Sequence, residues 1–113
     1  MKIMVIGGRA FTNTAAVWRE LDARLHEITV VITSDAPGAC AAARSWTKAR
    51  GVILVVENAR WGQFGRAAGC VRAVAMFAQG PDLVLAFPGG IGTAGELALG
   101  RARGVPIVRF TDA

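Results

Sequence analysis

The sequence predicts an α/β fold, a Rossmann-like open parallel five-stranded sheet of order 3-2-1-4-5 with helices on both faces. Three observations carry this expectation. Short runs rich in valine and isoleucine alternate with longer segments of helical pattern. The runs are continuously apolar rather than alternating, as in strands covered on both faces. Glycines follow three of the helical segments in helix-stop positions. A chain of 113 residues is long enough for one hydrophobic core, so residues 1–113 are expected to form a single domain.

The elements follow in order. Lys2 to Ile6 (KIMVI) reads as the first strand, and Thr14 to Leu25 as the first helix. Ile28 to Ile32 (ITVVI) is the second strand, followed by a helix over Ala39 to Arg50 that Gly51 stops. Val52 to Val56 (VILVV) is the third strand, and Glu57 to Gly65 (ENARWGQFG) the one irregular segment. A helix over Arg66 to Gln79 ends at Gly80, and Leu83 to Phe87 (LVLAF) is the fourth strand. Thr93 to Arg103 forms the last helix, with Gly104 behind it and Val105 to Val108 as the fifth strand. Such a β-α alternation requires right-handed crossovers between parallel strands.

Composition narrows the function. The chain is 53% hydrophobic and 19% charged. No apolar stretch reaches the roughly 18 residues of a membrane span. The N-terminus is too short for a secretion signal, so a cytoplasmic location and no membrane partner are expected. Cys40 and Cys70 form no CxxC pair, and neither a metal nor a cofactor is expected. The one histidine, His26, lies in RLHEI at an apparent helix end, where a surface role is expected. Catalysis must therefore rest on carboxylates, arginines and backbone. A net charge of +5 suits an anionic ligand, although the basic residues are scattered.

Ligands of open α/β sheets bind at the carboxyl ends of the strands where the strand order reverses. With the expected order, that crevice lies between strands one and four. Strand one ends in Gly7-Gly8-Arg9 and strand four in Pro88-Gly89-Gly90, so two glycine turns face one cleft. Glycines let the backbone approach a ligand closely, and a helix starting at Gly92 or Thr93 would aim free amides at an anion. Gly90 to Gly95 also satisfies GxGxxG, but the dinucleotide fingerprint belongs to the first βα turn. No GK[ST] follows, so the turn is no P-loop either.

Glu96 has two readings. Thr93-Ala94-Gly95-Glu96 fits T-x-x-E, a capping box, and Glu96 equally fits a functional carboxylate in the cleft. Arg72 bears on the choice. The helix Arg66 to Gln79 (RAAGCVRAVAMFAQ) is interrupted only by Arg66, Arg72 and Gln79. A helix apolar all round is buried on more than one side, so a homodimer through this helix is expected. Arg72 then needs an anion, either Glu96 or a ligand phosphate. Met76, one turn on, is expected in the core.

Pro88-Gly89-Gly90-Ile91-Gly92-Thr93-Ala94-Gly95-Glu96 resembles PGGxGTxxE, the signature of LOG-type nucleoside-monophosphate phosphoribohydrolases. Arg72 and Met76 resemble the upstream R-K-x-x-M element, with Ala73 in place of lysine. The wider arrangement is similar to the small YspA-like branch of the SLOG superfamily. Gly7-Gly8-Arg9-Ala10-Phe11 resembles its opening GGRDY/F; Trp61, Gly65-Arg66, Ala68-Gly69, Arg72 and Met76 resemble its W-x3-GR-x-AG-x2-R-N-x2-M; Leu83 to Thr93 resembles its DLVIAFPGGxGT. The loop after the second strand departs from both groups. It reads Thr33-Ser34-Asp35-Ala36-Pro37-Gly38-Ala39-Cys40, with one glycine where the relatives have a glycine-rich stretch.

The resemblance implies a domain that binds a nucleotide or nucleotide derivative, phosphate held by Pro88, Gly89, Gly90, Gly92 and Thr93 and by the Gly7-Gly8-Arg9 turn. The altered loop after the second strand favours binding without turnover; the alternative that the resemblance implies is an N-glycosidase acting on nucleoside 5′-monophosphates. Glu96 would then serve as acid/base or oxocarbenium-stabilising carboxylate, with Arg72 orienting it and holding the ribose-phosphate. A third class, single-stranded nucleic acid binding, needs aromatic platforms. Trp18 and Trp46 lie at helical core spacing and Trp61 in the irregular loop, so nucleic acid is the less favoured partner.

Overall fold

The computed structural model describes residues 1–111. Its strands are β1 (Lys2–Ile6), β2 (Val30–Ser34), β3 (Ile53–Glu57), β4 (Leu83–Ala86) and β5 (Ile107–Arg109). They form one sheet of order β3-β2-β1-β4-β5 in which every neighbouring pair is parallel. The helices are α1 (Thr14–Asp22), α2 (Ala39–Arg50), α3 (Trp61–Phe64), α4 (Ala68–Ala78) and α5 (Ile91–Ala102). Among the described residues, no helix is long and apolar enough to cross a membrane.

The continuous apolar pattern of β1 has a direct cause. Ile3 and Val5 pack with Val17, Leu21 and Trp46 on the side of α1 and α2, whereas Met4 and Ile6 pack with Met76, Phe77 and Leu97 on the side of α4 and α5. Both faces are covered, so polar residues have no place in the run. Met76 is a core residue, as its spacing predicts.

Several boundaries differ from expectation. β2 starts at Val30 because Leu25–Glu27 closes a 3-10 turn and the Thr29 amide donates to the Met1 carbonyl at 2.9 Å before the ladder begins. α1 ends at Asp22 rather than Leu25. β5 starts at Ile107, since Pro106 has no amide to donate and the Val105 amide is taken by the Gly100 carbonyl at 3.0 Å. The segment after β3 is not wholly irregular: Trp61–Phe64 is a helical turn and Gly65–Ala67 a 3-10 turn. The third long helix therefore runs from Ala68 to Ala78, because Gly65 turns the chain with φ +56. The three helix stops are as expected, with Gly51, Gly80 and Gly104 all at positive φ.

Two of the three tryptophans belong to the scaffold. Trp46 is fully buried and donates its Nε1 hydrogen to Asp22 at 2.8 Å. Arg50 forks the same carboxylate at 3.0 and 3.1 Å; hydrogen bonds from Arg50 first and Trp46 second hold Asp22 below the usual carboxylate range. Trp18 lies under the Arg50 guanidinium and donates to the Ala42 carbonyl at 3.1 Å.

α4 is not covered all round by its own chain. Ala68, Ala73, Met76 and Phe77 face inward, but Val71 and Val74 are exposed, and beside them in sequence so are Trp61, Phe64 and Cys70.

Candidate functional site

The strand order reverses at β1, which pairs with β2 on one side and β4 on the other. The turns leaving β1 and β4 meet there: the Gly8 amide donates to the Pro88 carbonyl at 2.8 Å. A cleft of about 660 Å³ opens over this junction. All the residues singled out from sequence line it: Gly7, Gly8, Arg9, Arg72, Pro88, Gly89, Gly90, Gly92, Thr93 and Glu96. Ala10, Phe11, Ser34, Ala36, Cys40 and Ile91 complete the lining.

The glycines divide into two groups. A Cβ on Gly7 would meet Ala39 Cβ at 2.5 Å, one on Gly8 would meet the Gly89 Cα at 2.9 Å, and one on Gly89 would meet Thr93 Oγ1 at 2.1 Å. Packing alone demands glycine at these three positions. At Gly90 and Gly92 a Cβ would meet nothing within 4 Å, and both have ordinary negative φ. The fold does not require them to be glycine; what they provide is room at the cleft.

That room lies at the start of α5, whose N-cap is Gly90. The helix thus starts at Ile91, earlier than the sequence suggests. No side chain caps it and its first turn holds no acidic residue, so the amides of its first turn remain available at the positive end of the helix dipole. The β2–α2 loop reaches the same cleft with Ala36 and α2 with Cys40, and the N-cap of α2, Gly38, likewise has no side-chain cap. Ile91, the first residue of α5, lines the cleft and is 94% exposed.

The early start of α5 removes the capping-box reading of Glu96. With Gly90 as N-cap, Glu96 lies in the second turn and caps nothing. It is half-buried in the cleft, and burial pushes its carboxyl up to about 7, against the opposing pull of the Arg72 charge.

Arg72 corrects a second expectation. It lines the cleft with its side chain 13% exposed, but its ion pair is with Asp35, Nη1 to Oδ1 at 2.6 Å, and it makes none with Glu96. Asp35 also accepts the Ala59 amide at 3.3 Å, so one carboxylate joins the loop after β2, the loop after β3 and α4. Burial works to raise the Asp35 carboxyl, and the hydrogen bonds from Arg72 and Ala59 outweigh it, leaving the group below its ordinary value. Sequence reading passed over Asp35 because the loop stood out for its missing glycines. The usable signal was its place, directly behind a central strand's carboxyl end.

Arg9 is exposed on the cleft and has no ion pair among the described residues. Cys40 is buried at the cleft, its thiol 3.8 Å from the Val5 carbonyl. Trp61 is not part of the lining; it packs near Gly69, where a Cβ would lie 3.9 Å from its ring. Among the described residues no group of three or more His, Cys, Asp or Glu could hold a metal ion.

The chain is similar to the Gene 61 protein of Mycobacterium phage D29, with 29% identity over 121 residues that cover 98% of this chain and 97% of that protein. The model of the YspA, cpYpsA-related SLOG family matches residues 1–64. That span includes β1 with its glycine turn and the altered loop after β2, and it ends before the Pro88–Glu96 turn. The matched residues are more than half of the chain, which therefore belongs to the YspA, cpYpsA-related SLOG family.

Proposed function

We propose that this chain binds a nucleotide or nucleotide derivative, with its phosphate seated on the amides of Gly89, Gly90, Gly92 and Thr93. One observation carries the reading. Gly90 and Gly92 leave open space that packing does not require, at an uncapped helix N-terminus inside a cleft. Arg9 adds an exposed positive charge, and Thr93 is a buried residue whose hydroxyl has no hydrogen bond to a described residue.

A screen of AMP, other nucleoside monophosphates, NAD and ADP-ribose, read by melting shift and by product analysis, tests this. A ligand at 100 times its Kd stabilises by about 2.7 kcal/mol. Gly90→Ala is expected to melt within a degree or two of the parent, because its Cβ enters empty space, yet to lose the ligand-induced shift. A Gly90→Ala protein that binds as well as the parent would remove the phosphate from this turn.

The state of Glu96 favours a second reading, an N-glycosidase of nucleoside 5′-monophosphates. A carboxyl that titrates near neutrality is matched to general acid/base work. In that reaction the C1′–N bond breaks, its electron pair leaves on the base, and Glu96 supplies the proton. Water then adds to C1′ through an oxocarbenium-like state and returns a proton to Glu96. Arg72, held by Asp35, would face the ribose-phosphate rather than orient Glu96.

Strand-shaped nucleic acid is not favoured. Trp18 and Trp46 are committed to the α1–α2 packing and Trp61 lies off the cleft. Tight, salt-sensitive binding of oligonucleotides would reverse this order.

The homodimer expectation keeps its basis in the outer face of α4. Val71 and Val74 on α4 and Trp61 and Phe64 on α3 are 37 to 51% exposed, and clustered exposed apolar side chains mark interaction surfaces. Sedimentation is expected to give twice the 11.8 kDa chain mass, and Val71→Asp with Val74→Asp to give the single mass. A monodisperse monomer of the parent at micromolar concentration would contradict this.

A further inference from the structure

The loop after β2 lacks the glycine-rich stretch of similar proteins but carries a carboxylate at Asp35. The structure puts that carboxylate on Arg72, which with Arg9 is one of two guanidinium groups that share the cleft with Glu96. The bond is short, 2.6 Å, and Arg72 is nearly enclosed, so its orientation is fixed by this partner. A second bond, from the Ala59 amide, fixes Asp35 itself. Glu96 meanwhile has neither ion pair nor hydrogen bond among the described residues, although it lies in reach of the Arg72 field.

We propose that Asp35 is a positioning residue of this cleft: it holds Arg72 to the β2–α2 loop, so that Arg72 does not pair with Glu96 and the Glu96 carboxyl stays free to meet a ligand. The inference rests on the reading of the cleft as a ligand site. The charged or titratable groups facing Glu96 there are Arg72 from α4, Arg9 from the turn after β1 and Cys40 from α2, with Asp35 behind Arg72. Arg72 is the charge that opposes the effect of burial on Glu96, so freeing Arg72 from Asp35 is the change that matters.

The experiment is a carbon-13 NMR titration of the Glu96 carboxyl in the ligand-free full chain. Asp35→Asn keeps an acceptor for the Ala59 amide but loses the charge that holds Arg72. The Glu96 midpoint is expected to fall by at least one pH unit, a tenfold change in its proton affinity, and Asp35→Glu to restore it. Asp35→Ser is expected to give the same fall and serves if Asp35→Asn does not fold. A midpoint unchanged in a folded Asp35→Asn or Asp35→Ser protein overturns the proposal. The titration needs no ligand. A chain that binds no nucleotide but shows the fall contradicts the functional reading alone, whereas one that binds nucleotide with an unmoved midpoint contradicts only the role of Asp35.

Discussion

Glu96→Gln is expected to abolish release of free base from a nucleoside monophosphate, lowering it by about 10²- to 10⁴-fold, the usual contribution of a positioned proton donor. The same variant is expected to melt higher than the parent in alkaline buffer and equally in acid. Burial raises the carboxyl from 4.5 to about 7, which means that the folded protein prefers Glu96 neutral. Stability from this group is fully present below about pH 4.5 and is lost as pH rises through about 7. At 1.36 kcal/mol per pH unit, the loss approaches about 3 kcal/mol above pH 8. Glutamine keeps the shape and removes the titration. The difference in melting temperature should thus be near zero at about pH 4 and about 10 °C at about pH 8.5. Differential scanning at both pH values decides it, and parallel profiles for the two proteins would contradict the burial of Glu96. Unchanged base release would instead assign the proton to another group.

Gly38→Ala is expected to be the most damaging single methyl in the chain. Gly38 holds φ +79 with ψ −130, a conformation open to glycine, and its Cβ would lie 2.1 Å from the Gly8 carbonyl oxygen and 2.7 Å from that of Arg9. Backbone strain of this kind costs about 1–3 kcal/mol. The clash adds to it, because both oxygens belong to the backbone turn that the cleft depends on. Against a total stability of about 5–15 kcal/mol, the melting temperature should fall by at least about 10 °C. Gly51→Ala is the control. Gly51 also has positive φ, at +69, but a Cβ there would meet nothing within 4 Å, so only about 1 kcal/mol should be lost. Equal losses in the two variants would show that conformation alone, not the packing of α2 against the first turn, fixes Gly38.

The sequence made some of this legible and hid the rest for identifiable reasons. Periodicity exposed the strands because both faces of β1 are covered, and helix-stop glycines at 51, 80 and 104 marked three ends correctly. The start of α5 was misjudged by the attraction of T-x-x-E, a local pattern that the earlier N-cap at Gly90 overrides. The boundary at Gly65 was read correctly, but the short helical turn Trp61–Phe64 before it and the 3-10 turn Gly65–Ala67 after it were not, because pieces of three or four residues leave no periodic pattern. Residues of the cleft were found because turn glycines advertise themselves. The Asp35–Arg72 pair was not, since a contact between residues 37 positions apart leaves no trace in spacing.

The hydrogen bond between Gly8 and Pro88 joins two turns at opposite ends of the polypeptide. Contacts of such high sequence separation, with parallel pairing of β1 and β4, slow a folding chain. A translation product that stops short of β4 lacks Pro88 to Glu96, one whole wall of the cleft, so the cleft cannot form before that strand is made.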